Sequence, residues 1–338
     1  MPLIKDIIAH LERIAPPSYQ ESYDNAGLIT GDAATEATGA IVSLDATEAV
    51  IDEAIQKGCN LVVAHHPIVF SGLKKINGKN YVEKTIIKAI RNDIAIYAIH
   101  TNLDNMHARG VNTRIAEKLG LQQLRILAPK KELRKLTAWL PANATGLLQA
   151  ALADIHPSLT AHFLEAAETE AQVLASIAFD SAWQREILGA VSPFALSESI
   201  GIHSLDSPSP RIGAGMIGEL PGEMPELDFL HFLKASMQTG TIRHTPLRNK
   251  KVRKIAVCGG AGSFLLPQAI AQGADVYVSA DFKYHEFFDA NGSIVITDIG
   301  HYESEQFTIE LLHEIICEKF PTFAALKTNI DTNPVLYL

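Results

Sequence analysis

The chain has 338 residues, more than one ordinary hydrophobic core accommodates, so we expect two or three domains. Hydrophobic residues make up 47% of it and charged residues 20%, which indicates a soluble globular protein and argues against disorder. The net charge of −9 argues against nucleic acid as a partner, unless a local basic patch exists.

The sequence contains no apolar run that approaches the 18 residues of a membrane-spanning helix, and charges interrupt its apolar N-terminal stretch. We therefore expect a cytoplasmic protein without membrane contact. Its three cysteines, Cys59, Cys258 and Cys317, form no C-x-x-C pattern. The first two lie in apolar surroundings, which predicts buried free thiols.

Residues 1–130 have the pattern of an α/β half, in which apolar strands alternate with amphipathic helices. Continuous apolar runs of this length are typical of interior strands in a parallel sheet. The predicted helices lie at 3–14, 47–57 and 82–92, and the predicted strands at 40–44, 61–64 and 94–99.

Histidines follow two of these strands: His65 and His66 come after the strand at 61–64, and His100 after the strand at 94–99. Ligands of open α/β sheets bind beyond the carboxyl ends of the strands. Neighbouring strand residues point to opposite faces, so His65 and His66 share a site only where the strand becomes a loop, which Pro67 favours. The alternative is one core histidine and one surface histidine.

Residues 131–209 have a different order, β-α-β-β-α-β, which is typical of a ferredoxin-like α+β domain. We see no convergent His, Asp or Glu set within it, so we expect an inserted domain with at most an interaction or lid role. A Ser-Pro-Ser-Pro stretch at 207–210 predicts a linker. The predicted strands are 136–140, 159–165, 173–179 and 199–205, and the helices are 145–155 and 183–191.

Residues 210–338 return to the α/β pattern, with strands predicted at 255–258, 276–279 and 294–297. The glycines at 213–218 match G-x-G-x-x-G, but Pro221 and Pro225 prevent the helix that a dinucleotide site requires, which favours a structural glycine cluster. The loop Gly259–Ser263 is a weak candidate for holding a phosphate through backbone N–H groups at a helix start. Helices are predicted from 225 to 237, from 264 to 272 and from 306 to 318.

A weak internal repeat relates the two α/β halves. When Gly58 is aligned with Gly273, His66 falls on Asp281. Both halves place metal-ligand residue types at the ends of their strands, and a cleft between the halves would collect ligands from both. One strand later, the first half has His100 and Asp104 and the second has His301 and Glu305.

Five of the residues at these strand ends, three histidines and two acidic residues, form a mixed imidazole and carboxylate set. Such a set suits Zn, Fe or Mn better than Ca or Mg. Five side chains are too many for one open catalytic zinc, but they suffice for two metals if a carboxylate bridges them. The predicted ligands are His65, His66, Asp104, His301 and Glu305.

Three further residues are candidate catalytic residues: His100, Asp281 and His285. For His100 the alternative is a role in orienting a ligand or anchoring a loop. Asp281, Tyr284 and His285 are candidates for proton shuttles or substrate contacts, with helix capping as the alternative.

Five ordered motifs resemble those of the NGG-interacting factor three-like family, whose members are also called GTP cyclohydrolase 1 type 2 homologues. The resemblance covers residues 1–130 and 210–338. The motifs are N-A-G-L at 25–28, A-H-H-P at 64–67, H-T-N-L-D at 100–104, C-G-G-A-G-S at 258–263 and G-H-Y-E-S-E at 300–305.

The resemblance implies a dinuclear metal centre between two similar α/β halves and a toroidal homohexamer with its sites facing an inner cavity. The family's ligands fall on the same five residues. Longer members carry an inserted domain similar to PII and CutA proteins, which here lacks a glycine-rich central stretch.

Several functions remain open from the sequence. The first is a dinuclear metal-dependent hydrolase that acts on a nucleotide-type substrate through metal-bound hydroxide, as the GTP cyclohydrolase name implies. A phosphoester hydrolase would use the same centre, and a non-catalytic metal-binding or regulatory protein is the alternative. Binding of DNA in the hole of a ring conflicts with the acidic balance unless the lumen is locally basic.

Overall fold

The computed structural model describes residues 1–155, 159–166 and 169–338. Its α-helices are α1 Ile4–Ile14, α2 Glu48–Lys57, α3 Tyr81–Arg91, α4 Thr101–Asp104, α5 Val111–Lys118, α6 Thr145–Ile155, α7 Gln184–Val191, α8 Glu226–Ser236, α9 Leu266–Ala271, α10 His301–Glu305 and α11 Thr308–Lys319. Its strands are β1 Gly27–Thr30, β2 Ala40–Ser43, β3 Leu61–Ala64, β4 Ala95–Ala98, β5 Gln122–Pro129, β6 Leu133–Pro141, β7 Ala161–Ala166, β8 Thr169–Asp180, β9 Gly201–Ser204, β10 Gly213–Pro225, β11 Arg243–His244, β12 Lys251–Ala261, β13 Val276–Ala280, β14 Val295–Asp298 and β15 Ala325–Lys327.

The chain divides into two compact units. The first contains Met1–Ala128 and Gly213–Leu338, and the second contains Pro129–Ile212. The fold is a mixed α/β fold with several sheets. Within the described ranges, no helix combines the length and the apolar character that a membrane crossing requires.

The first sheet of the larger unit has the strand order β1-β4-β3-β2-β15. The strands from β15 to β4 are parallel, and β1 is an antiparallel edge strand. Every residue of β2, β3 and β4 is buried, as expected for parallel strands covered on both faces. Gly58 ends helix α2 in the left-handed conformation at φ 66°, which glycine adopts without strain.

The second sheet of this unit has the order β11-β14-β13-β12-β10-β5, with β12, β13 and β14 parallel. The glycines at 213–218 lie inside strand β10, so they do not form a dinucleotide loop. Gly215 has φ +65°, and a Cβ there would lie 2.9 Å from the Leu265 side chain and 3.0 Å from the Val257 carbonyl. Close packing and backbone conformation thus both require glycine at this position.

The smaller unit has one antiparallel sheet in the order β7-β8-β6-β9, with helices α6 and α7 contributing to a single apolar core. The segment at 207–210 is more than the linker that its prolines indicate. Ser209 is buried, and its hydroxyl donates to the Asp180 carboxylate at 2.8 Å. A small hydroxyl side chain fits this buried position and fixes the segment against the end of β8.

Candidate metal centre

The five predicted ligands come together at the carboxyl ends of parallel strands. His65 and His66 directly follow β3, Asp104 ends the short helix after β4, and His301 and Glu305 belong to the short helix after β14. The parallel strands of the two sheets therefore deliver ligand-type side chains to one place, as expected for open α/β sheets.

The Glu305 carboxylate lies at the centre of this set and is shared by two groups of residues. Its Oε2 is 3.0 Å from His66 Nε2 and 3.1 Å from His301 Nε2. Its Oε1 is 3.9 Å from His65 Nε2, which lies 3.5 Å from Asp104 Oδ1. We call His66 and His301 with Oε2 the outer group, and His65 and Asp104 with Oε1 the inner group. Each group could hold a metal ion.

Two atoms of the inner group fit a cation particularly well. His65 Nε2 and Asp104 Oδ1 are buried and have no hydrogen-bond partner among the described residues. Leaving such atoms without a partner is costly, and a cation between them would satisfy both. The donor set of imidazole nitrogens and carboxylate oxygens suits Zn, Fe or Mn.

Carboxylates outside the cluster orient the two imidazoles of the outer group. Asp45 Oδ1 lies 2.8 Å from His66 Nδ1, and Asp281 Oδ2 lies 2.6 Å from His301 Nδ1. When Nδ1 donates to these oxygens, Nε2 is left to face Glu305 as a ligand atom. The structure thus places Asp281 in contact with His301, one of the predicted ligands.

Hydrogen bonds also orient two further histidines at the site, His65 through a backbone carbonyl and His100 through a carboxylate. His65 Nδ1 lies 2.8 Å from the Ile99 carbonyl oxygen, and His100 Nδ1 lies 2.8 Å from Asp24 Oδ1. Asp24 also accepts hydrogen bonds from the amide and hydroxyl of Thr101. The rings of His65 and His100 are 5.3 Å apart, and with His66 they form a third group that could hold an ion.

The ionisation of the cluster reflects this network of hydrogen bonds. Burial opposes protonation of the outer imidazoles, but hydrogen bonds to Asp45 and Glu305 raise the pKa of His66 to about 9. Hydrogen bonds to Asp281 and Glu305 likewise outweigh burial and raise the pKa of His301 to about 11. Burial raises the pKa of the Asp104 carboxyl. Burial would also raise the pKa of Glu305, but hydrogen bonds from the imidazoles hold it well below its usual range.

A cavity of about 750 Å³ opens onto the cluster. Its wall includes His66, His100, Asp104, His301 and Glu305 from the cluster itself. Four aromatic side chains also line it, and each is more than half exposed: Tyr23, Phe70, Tyr81 and Phe264.

The structure places two of the sequence-predicted residues away from the cavity wall. Tyr284 and His285 do not line this cavity. They lie on the 3-10 helix Tyr284–Ala290, where the His285 ring packs against those of Tyr284 and Phe288 at 5.2 and 6.4 Å. The reason is local: Asp281 adopts φ 57° just after β13, and this left-handed residue marks an abrupt change of backbone direction before the helix begins.

The glycine-rich segment 259–263 is not a free phosphate loop. Strand β12 continues to Ala261, and the amides of Gly259 and Gly260 donate to Asn112 and Ser304. Gly260 has φ +61°, and a Cβ there would lie 2.6 Å from Glu305 Oε1. Glycine is therefore needed here so that the backbone can approach the shared carboxylate.

Sequence reasoning missed two carboxylates of the site, Asp24 and Asp45. For Asp45 a signal was present, because it follows strand β2 as closely as the histidines follow β3. Asp24 lies in a turn-rich segment before β1, and nothing in the local pattern indicates that it reaches His100.

The fold and the site together define an α/β protein with a carboxylate-centred cluster that could bind metal. A family model for Duf34/NIF3 (NGG1p interacting factor 3) matches residues 2–334. The chain belongs to this family, which confirms the resemblance found in the sequence.

Relatives match along nearly the whole chain. A Bacillus subtilis protein named GTP cyclohydrolase 1 type 2 homolog is 30% identical over 99% of this chain and 98% of its own. A Staphylococcus aureus protein of the same name is 29% identical over 99% of this chain and its own full length. The solved structure of a Bacillus cereus protein related to NIF3 is 31% identical and superposes with a TM-score of 0.83, covering 100% of this chain and 99% of that one.

Proposed function

We propose that this protein is a dinuclear metal-dependent hydrolase acting on a nucleotide-type substrate. The observation that carries the proposal is the position of Glu305, whose two carboxylate oxygens each face a separate group of ligand-type side chains. The proposed metal ligands are His65, His66, Asp104, His301 and Glu305.

Two divalent ions, Zn, Fe or Mn, would be held per chain, one by each group of residues. When bound, they would supply Lewis acidity and activate water for hydrolysis. His100 is our candidate for the general acid or base, because Asp24 holds its Nδ1 while the ring lines the cavity beside the ligands. Hydrogen bonds from His100 and Thr101 outweigh burial and lower the pKa of Asp24 to about 2, so this carboxylate stays ionised.

The cavity wall supports a substrate with a planar ring. Aromatic side chains stack on unsaturated rings, and four exposed ones line this cavity together with the imidazoles and carboxylates of the cluster. The relatives' shared name, GTP cyclohydrolase 1 type 2 homolog, agrees with a purine nucleotide. A phosphoester hydrolase on the same site is the second candidate, because paired metals also stabilise phosphoryl transfer.

The experiment that tests the proposal is elemental analysis of protein purified without added metal, followed by turnover assays with GTP and with phosphoesters. We expect about two Zn, Fe or Mn ions per chain and a loss of both metal and turnover in Glu305→Ala. Glu318→Ala, on the surface of α11, is the matched control. Metal without turnover of any substrate would favour a non-catalytic metal-binding or regulatory protein.

We further propose that residues 131–209 form an inserted ferredoxin-like domain similar to PII and CutA proteins. The β-α-β-β-α-β order and the antiparallel sheet of this segment support that assignment. The remaining segments, 1–130 and 210–338, would be two related halves of one core, because each contributes parallel strands that end in ligand-type residues.

Family membership supports a cytoplasmic protein that assembles into a toroidal homohexamer. Light scattering tests the assembly: six chains of 36.7 kDa should elute as one species. A monomer or dimer at every protein concentration would contradict it.

A further inference from the structure

The C-terminal segment, residues 328–334, reaches the cavity of the candidate metal centre. After β15 pairs with β2, the buried Glu53 carboxylate accepts hydrogen bonds from the Thr328 hydroxyl at 2.5 Å and from the Asn329 amide at 3.0 Å. These contacts fix the start of the C-terminal segment against helix α2. Thr332 and Pro334 then line the same cavity as the cluster.

Thr332 contacts the carboxylate that orients a proposed ligand. Its hydroxyl donates to Asp45 Oδ2 at 2.7 Å, while Asp45 Oδ1 faces His66 Nδ1 at 2.8 Å. Each oxygen of the Asp45 carboxylate therefore has its own partner. The terminal torsion of aspartate is soft, and the Asp45 side chain is 34% exposed, so a second partner is needed to hold its plane.

We propose that Thr332 is a positioning residue of the metal site. By holding Asp45, it keeps the His66 ring in the orientation and tautomer that present Nε2 to the outer group. The C-terminal segment thus lines the cavity and also helps to orient one of its proposed ligands. This inference rests on the proposed function for its consequence in metal binding, but the hydrogen-bond chain from Thr332 to His66 can be tested separately.

The test compares Thr332→Val, which keeps the shape and loses the hydroxyl, with Thr332→Ser, which keeps the hydroxyl. Zn²⁺ affinity is measured on the full chain by competition with a chelator. We expect Thr332→Val to weaken one of the two sites about tenfold and Thr332→Ser to stay within about twofold of the wild type. Thr38→Val is the matched control, because its hydroxyl donates to the Gly58 carbonyl, away from the cavity.

A second readout separates positioning from a general structural effect. The ring nitrogens of His66 are followed by NMR in metal-free protein, where the hydrogen-bonded Nδ1–H signal should weaken through water exchange in Thr332→Val and persist in Thr332→Ser. In an Asp45→Asn background, Thr332→Val should have no further effect on Zn²⁺ affinity. If Thr332→Val does not fold, Thr332→Ala replaces it.

The proposal fails if Thr332→Val retains both Zn²⁺ affinities, or if it weakens binding without changing the His66 signal. An undiminished effect of Thr332→Val in the Asp45→Asn background would also overturn it. A wild-type protein that binds no Zn²⁺ would instead contradict the proposed function, and the His66 signal would still decide the role of Thr332.

Discussion

The inner and outer groups share one carboxylate, yet they are built in opposite ways. His65 in the inner group is fully buried and is oriented by a backbone carbonyl, and two of the group's polar atoms have no partner among the described residues. His301 in the outer group is 41% exposed, and both outer imidazoles are paired with carboxylates. A cation would therefore supply the inner group with partners that the described residues do not provide, whereas the outer imidazoles already have carboxylate partners when they are protonated.

The largest effect should come from removing the inner carboxylate. Asp104→Asn takes an anionic oxygen from a desolvated position, so we expect the inner ion to be lost entirely while the outer ion is retained. Elemental analysis should show the metal content per chain falling by half. Loss of both ions, with an intact fold by circular dichroism, would show that the two groups do not bind independently.

Acid should weaken the outer group before the inner one. The pKa of His66 is raised to about 9 and that of His301 to about 11, so at neutral pH a metal must displace a proton from each ring. Affinity for the outer ion should therefore rise with pH, by about tenfold per unit for each displaced proton, and level off above the pKa of the rings. Chelator competition at pH 6, 7 and 8 measures this slope. Equal slopes for both ions would contradict the view that only the outer group must release protons from its imidazoles to bind an ion.

Crowding the shared carboxylate should affect both groups together. Gly260→Ala places a Cβ 2.6 Å from Glu305 Oε1 at a residue with φ +61°, so Glu305 must shift. We expect both ions to bind about 10- to 100-fold more weakly. Gly273→Ala is the matched control, because Gly273 has φ +70° and open space around the same position. The Gly273→Ala variant introduces the backbone strain without the contact, and this strain should lower the free energy of unfolding by about 1–3 kcal/mol. If the two variants lose equal metal affinity, strain rather than contact with Glu305 explains the loss.

The sequence indicates that the residues of the inner and outer groups lie together because both groups obey one rule, that side chains at the carboxyl ends of parallel strands converge. His65 and Glu305 follow strands whose apolar runs are unmistakable. The residues that orient the ligands obey no such local rule: Asp24 lies before an edge strand, and Thr332 lies 287 residues from Asp45. Their contacts depend on how segments distant in sequence pack together, and the periodicity of apolar residues carries no information about that packing.

The same limit applies to the fold. The buried parallel strands and their helices were predicted closely, and the helix at 145–155 coincides with α6. The long antiparallel strand β10 was missed, because its glycines and prolines indicate turns. It tolerates them because its register with β12 shifts between Glu219 and Met224, so ladder hydrogen bonds are not needed throughout.

The smallest expected effect tests whether the carboxylates around the outer group only orient it. Asp281→Asn retains an oxygen that can accept from His301 Nδ1 but removes the charge that favours the ring as a ligand. We expect the outer ion to bind about tenfold more weakly and the inner ion to bind unchanged. Asp289→Asn, an exposed neighbour, removes the same charge without touching the cluster. If both variants weaken the outer ion equally, the long-range charge of the region, not the contact with His301, sets its affinity. Preserved binding in Asp289→Asn, with weakened binding in Asp281→Asn, would assign the effect to the negative charge that Asp281 places beside His301.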